Sequence, residues 1–185
     1  MKVAVLSALR CELSSIAASD ALHRVLSPSD ETHVLDVAKA DIGACVGCSG
    51  CWRSGRCVHS DDMSQFLPHV AETDLLVLAT PIVFGVHHPL LKKAVDRLLP
   101  LGGGTFAVRN REMHHHPRYD KRYALLGIGW SNEGGPPDEA ETFERLIGRH
   151  AVNLACPRHA AVVLRQQDDV EDALRHAMQR LEVPR

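Results

Sequence analysis

Short apolar runs alternate with amphipathic stretches along most of the chain. Lys2 to Leu6 is almost continuously apolar, the mark of a strand buried on both faces. Ser14 and Ser15 then lead into Ile16, Ala17, Ala21, Leu22, Val25 and Leu26, a helical stripe behind hydroxyl residues suited to an N-cap. Thr32 to Val37 reads as a second strand, followed by a cysteine-rich loop over residues 41–59. Ser60-Asp61-Asp62-Met63 opens another helix, its carboxylates placed to cap the end where the helix dipole favours negative charge. Phe66, Leu67 and Val70 form its apolar face, with Pro68 in its first two turns. Asp74 to Thr80 is the strongest strand signal; it ends at Pro81-Ile82-Val83-Phe84-Gly85, and a helix over 88–99 follows. Residues 100–122 show no periodicity and read as a structureless loop. Such a loop exceeds the usual limit of about 12–15 residues and points to function, mobility or an oligomer contact. A strand over 123–128, a loop through Gly129, Trp130 and Ser131, a helix over 138–154, a strand over 160–164 and a helix over 170–181 complete the pattern.

Five strands alternating with five helices predict an α/β chain with a parallel sheet covered on both faces. Right-handed crossovers make this a doubly wound, three-layer sandwich, and at five strands the common order is the flavodoxin-like 2-1-3-4-5. The ligand crevice of such a sheet lies between strands 1 and 3, lined by the loops after Leu6, Thr80 and Ile128. The cysteine-rich loop leaves the second strand on the same edge. No internal repeat or linker divides residues 1–185, so a single domain is expected.

Composition narrows the function classes. Lys plus Arg number 21 and Asp plus Glu 23, for a net charge of −2, which suits neither nucleic acid nor an anionic membrane surface. No apolar stretch reaches the roughly 18 residues of a membrane span. The run after Lys2 is too short for a signal peptide, so a cytoplasmic location is expected. With aromatics at 4% of the chain, the core must be aliphatic.

Cys45, Cys48, Cys51 and Cys57 form C-x2-C-x2-C-x5-C, with Gly47 and Gly50 allowing tight turns between them. Zinc sites usually pair two C-x2-C knuckles across a longer gap, so this compact spacing favours a 4Fe–4S cluster over zinc. Metal-free thiols or a disulfide pair remain open readings of the same residues. Cys11 and Cys156 fall outside the motif. Asp96 and Arg97 read as a structural pair or a subunit contact. His114, His115 and His116 sit in a locally basic segment that reads as a solvated flap.

The cysteine motif running into Asp61-Asp62-Met63, then Ala79-Thr80-Pro81-Ile82-Val83-Phe84-Gly85, then Leu91-Lys92-Lys93-Ala94-Val95-Asp96-Arg97, resembles the iron-sulfur flavoproteins. These belong to the NADPH-dependent FMN reductase-like branch of flavodoxin-like proteins. The match is carried by roughly the first hundred residues. The resemblance implies an FMN-dependent redox protein with non-covalent FMN on the sheet rim and a cluster on the four cysteines. It also implies NAD(P)H or a reduced ferredoxin as donor, a small-molecule or protein acceptor, and a homodimer or homotetramer. The phosphate loop corresponds to residues 7–15, where Ser7, Arg10, Ser14 and Ser15 would hold the anion at a helix N-terminus. This loop lacks the family's glycines and carries Glu12, a carboxylate where the phosphate should sit. Pro81, Ile82, Val83, Phe84 and Gly85 would border the isoalloxazine ring, and Gly129, Trp130 and Ser131 would supply a third contact. Two other readings stand beside this one. One is a flavodoxin-like module that has lost FMN and holds a metal or thiols; the other is a cluster-free FMN or quinone reductase.

Overall fold

The computed structural model of the chain describes residues 1–11, 15–26, 28–132 and 135–181. Its first half runs β1 (Lys2–Ser7), α1 (Ile16–Val25), β2 (Glu31–Asp36), α2 (Gly50–Ser54), α3 (Asp62–Glu72), β3 (Leu75–Val83), β4 (Val86–His87) and α4 (Pro89–Asp96). The second half runs β5 (Gly102–Arg109), β6 (Glu112–Pro117), β7 (Ala124–Trp130), α5 (Glu139–Leu154), β8 (His159–Leu164) and α6 (Val170–Arg180).

The five long strands pair in parallel in the order β2-β1-β3-β7-β8, the arrangement the pattern of apolar runs predicts. The period-two alternation of strand side chains sorts the core into two clusters. Val3, Val5, Leu75, Val77, Leu126 and Ile128 pack beneath α1 and α6, against Ala18, Leu22, Leu174 and Ala177. Ala4, Leu6, Leu76, Leu78 and Leu125 turn the other way onto α3, α4 and α5, against Met63, Phe66, Leu91, Phe143 and Ile147. Gly127 matters to the second layer: a Cβ there would overlap Ile147 Cγ1 and stand 2.5 Å from its Cδ1, so α5 lies directly on the bare backbone of β7. No helix among the described residues is long and apolar enough to cross a membrane.

Three elements differ from expectation. Residues 100–122 are not structureless: β5 and β6 form an antiparallel hairpin, irregular between Gly102 and Phe106, that turns at Asn110 and Arg111. Both turn residues have positive φ, 49° and 64°, the backbone of a tight hairpin turn without the glycine that usually announces one. Two arginines tie this ribbon to the domain. Arg109 donates to the Val152 carbonyl at the end of α5 at 3.1 Å, and Arg118 donates to the carbonyls of Pro100, Cys51 and Trp52 at 2.8–3.0 Å. Next, β3 does not stop at Thr80 but runs through Pro81 to Val83 and folds back as β4. Finally, the short helix α2 lies inside the cysteine-rich loop.

Candidate functional site

Register sets the rim. Ser7 pairs with Ala79 and Ala79 with Ile128, so the carboxyl ends of β1, β3 and β7 lie side by side, and Pro81 stands next to Trp130. The loops that follow these three strands therefore start from one sheet edge, the placement expected of a ligand crevice.

Within the first loop, the side chains bond locally. Ser7 Oγ accepts from Leu9 N at 3.4 Å, the buried Ser15 hydroxyl donates to the Leu9 carbonyl, and Arg10 is bonded to Asp20 at 3.0 Å. Ser14 and Glu12 lie outside the described residues.

The second loop has the most unusual backbone of the rim. Phe84 and Gly85 both have positive φ, 51° and 79°, and close the β3–β4 hairpin. Phe84 is 88% exposed, a large aromatic held in a left-handed conformation that its Cβ disfavours. A Cβ on Gly85 would stand 2.7 Å from Thr142 Cγ2, so the turn packs directly against α5. Thr80 Oγ1 accepts from His88 N at 2.9 Å and anchors the return of the chain into α4. Pro81 and Ile82 are buried beneath the turn, while Val83 is partly exposed.

β7 runs past the expected end at residue 128 to take in Gly129 and Trp130, and Trp130 is not the exposed rim aromatic that a shielding role suggests. It is 3% exposed, packs in the layer beneath α1 and α6, and its Nε1 has no hydrogen-bond partner. Gly129 is needed for packing, since a Cβ there would meet Ile82 Cδ1 at 2.6 Å. Ser131 is buried and its hydroxyl bonds to the buried Glu139 carboxylate at 2.6 Å.

The cysteine loop is built around one cavity. Cys45, Cys48, Cys51 and Cys57 all line a space of about 220 Å³, walled also by Trp52, Val58, Arg97 and Pro100. Left-handed backbone at Gly47, Ser49 and Gly55 (φ 65°, 58° and 72°) curls the loop around it. Cys45, Cys48, Cys51 and Cys57 form no disulfide. The Cys51 thiol is pushed up, first by burial and then by the charges of Cys57, Cys48 and Cys45, as expected for four sulfurs sharing one space. Cys156 stands apart against the core, its thiol pushed up by burial to about 12. Among the described residues, no three His, Cys, Asp or Glu side chains stand close enough to hold one metal ion. All four cysteines of the motif nevertheless border the one cavity. Two buried N–H groups on the same wall, Trp52 Nε1 and Arg97 Nε, have no acceptor.

The loop is closed at its base by a contact that sequence reasoning missed. Arg97 does not pair with its neighbour Asp96, which bonds to Lys92. Successive helical residues point in different directions, and Arg97 turns inward to grip Asp61 with a two-pronged contact at 2.6 and 2.9 Å. It also donates to the Gly43 carbonyl at 2.6 Å and to Ser64 Oγ at 3.1 Å. Asp61 caps α3, accepting from Ser64 N at 3.0 Å, and accepts from Gly43 N at 2.9 Å. Arg97 holds the Asp61 carboxyl far below the usual carboxylate range, with those backbone N–H groups assisting against the cost of burial. The only advance signal was the helix-capping pattern around Asp61; nothing local pointed to Arg97. A larger groove of about 760 Å³ opens alongside, bordered by Cys45 and Gly47 and, across from them, by Phe106, Met113, His115 and His150. His150 Nε2 lies 2.8 Å from Nε2 of His87, which is buried on β4 directly after the Phe84 turn.

Residues 1–167 match the family model described as NADPH-dependent FMN reductase. Among curated relatives, an iron-sulfur flavoprotein of Methanocaldococcus jannaschii is 31% identical over 139 residues, 75% of this chain and 66% of that protein. The chain spans 40 to 66% of the length of the curated relatives it matches, all of them iron-sulfur flavoproteins. Among solved structures, an apo NADH:FMN oxidoreductase superposes with a TM-score of 0.62 at 19% identity, covering 98% of this chain and 89% of that one. A NAD(P)H:quinone oxidoreductase from Methanothermobacter marburgensis gives 0.63 at 12% identity, covering 96% and 94%. At these identities the structural likeness establishes the flavodoxin-like fold.

Proposed function

The chain belongs to the NADPH-dependent FMN reductase family, and on that premise we propose that it is an FMN-containing NAD(P)H oxidoreductase that also carries a 4Fe–4S cluster on Cys45, Cys48, Cys51 and Cys57. When bound, FMN supplies exchange between two-electron and one-electron transfer and the cluster supplies single-electron transfer. The chain's own residues bind, orient and shield. The observation that carries the reading is the cysteine cavity, where four thiols share their wall with two buried N–H donors lacking acceptors.

For the flavin, the register of Ser7, Ala79 and Ile128 supplies the open strand ends and Phe84 an exposed aromatic face. In this reading Ser7, Arg10, Ser14 and Ser15 surround the phosphate, with Arg10 exchanging Asp20 for the anion. Residues 81–85 and 129–131 border the ring system, Trp130 from beneath. A nicotinamide donor follows from the family, with a reduced ferredoxin as the other candidate, and the structural relatives point to a quinone-type acceptor. Assembly into a homodimer or homotetramer belongs to the same proposal; the exposed Phe106, Val108 and Met113 on the β5–β6 hairpin support it. A cytoplasmic location belongs to the same proposal.

The test is anaerobic purification of the full chain, followed by a visible spectrum and assays of iron, acid-labile sulfide, zinc and released flavin. Flavin together with iron and sulfide is expected. A yellow, iron-free protein overturns the cluster, and a colourless one overturns the flavin.

A further inference from the structure

We propose that Arg97 is the positioning residue that aligns the Cys57 end of the cysteine loop and raises the reduction potential of the cluster held there. The inference rests on the cluster reading above and extends it to a residue outside the cysteine motif.

A guanidinium has five N–H donors in a fixed fork. In Arg97 the Nη1 and Nη2 groups make four hydrogen bonds, to the Gly43 carbonyl, to both Asp61 oxygens and to Ser64 Oγ. The fifth donor, on Nε, is buried without an acceptor. The side chain is 1% exposed and forms part of the cysteine cavity wall. Burial works against its charge, but the Asp61 carboxylate and the neighbouring Cys57 sulfur more than offset this. Gly43 and Asp61 sit just outside the two ends of the four-cysteine segment. One planar group therefore ties the two ends of the loop together and places a positive charge in the wall of the cavity that the four cysteines line. A lysine offers a point charge and no such fork.

Reduction adds negative charge to a cluster. A neighbouring cation and an N–H donated to sulfur stabilise that added charge, and both raise the potential. The Asp61 carboxylate, bonded to Arg97, acts in the opposite sense. These opposed signs separate an electrostatic role from a merely structural one.

The experiment is an EPR-monitored redox titration of the anaerobically prepared full chain, with iron and sulfide counted for every variant. Arg97→Gln is expected to lower the reduced-to-oxidised ratio of the cluster about tenfold at a given potential, a fall of about 59 mV for one electron. Asp61→Asn is expected to shift the ratio the other way. Trp52→Phe, which removes the second unpaired donor and keeps a ring, should lower it by less than Arg97→Gln. Should Arg97→Gln fail to retain iron, Arg97→Lys is read in its place. That variant keeps a charge and loses the Nε donor, so a smaller fall is expected. An iron-replete Arg97 variant with an unmoved potential overturns the inference, as do Arg97 and Asp61 variants that shift in the same direction. A wild-type chain without iron and sulfide overturns the cluster reading itself, and this inference with it.

Discussion

Replacing Phe84 with glycine should separate stability from flavin affinity. Phe84 has φ 51° and is 88% exposed, so the native chain carries left-handed strain while burying almost none of the ring. For a residue with a Cβ, that conformation costs about 1–2 kcal/mol. Glycine removes the strain, but its freer unfolded chain takes back about 0.5–1 kcal/mol. Because removing so exposed a ring leaves the core packing intact, the apoprotein should gain between about 0 and 1.5 kcal/mol, a rise in Tm of up to ~6 °C at this chain length. If the exposed ring covers one face of bound FMN, losing an aromatic pair worth about 0.5–1.5 kcal/mol raises Kd roughly two- to tenfold. Phe84→Tyr, which keeps the ring and the strain, should change neither quantity. Thermal unfolding of the apoprotein and titration of FMN by quenching of its fluorescence measure the two effects independently. An unchanged Kd in Phe84→Gly would refute the flavin contact. A fall in Tm beyond about 2 °C would refute the claim that the turn is strained.

Gly127→Ala should destabilise the fold by about 1–3 kcal/mol through overpacking against Ile147. Adding Ile147→Ala should cost less than the two single changes together, as read from urea unfolding of all three variants; strict additivity would mean that α5 does not rest on the bare backbone there. Burial, then His150 and Lys92, push the His87 imidazole down to about 3. Because its folded value lies below its unfolded one, near 6.5, stability is complete above pH 6.5 and is lost as pH falls. About 2–3 kcal/mol should be gone by pH 4.5. His87→Gln should flatten that limb in denaturant titrations at pH 7.5 and 4.5, and an undiminished loss would rule His87 out as its source. Cys48→Ser should lower bound iron while leaving the far-ultraviolet circular dichroism unchanged; full iron retention would remove Cys48 from the ligand set.

Local patterns carried much of the architecture because its determinants are local. The near-continuous apolar runs of β1 and β3 require burial on both faces, and that requirement implies a wound sheet with helices above and below. The capping role of Asp61 was likewise visible, since a carboxylate three residues before Ser64 reaches that N–H in any regular helix start. The β5–β6 hairpin was not. Its turn at Asn110 and Arg111 lacks glycine, and its strands are rich in glycine and histidine, so the ladder depends on anchorage by Arg109 and Arg118 to distant carbonyls.

The chemistry divides along the same line. Sequence alone determined the parallel order of the strands and the spacing of four cysteines, because both follow from periodicity and from residue types set close together in the chain. The fold decided which partner Arg97 takes, that Trp130 is buried and Phe84 exposed, and that two N–H donors without acceptors stand on the wall shared by the four sulfurs. Those outcomes depend on where side chains remote in sequence come to rest once the layers close, and on hydrogen-bonding demands that arise only when water has been excluded.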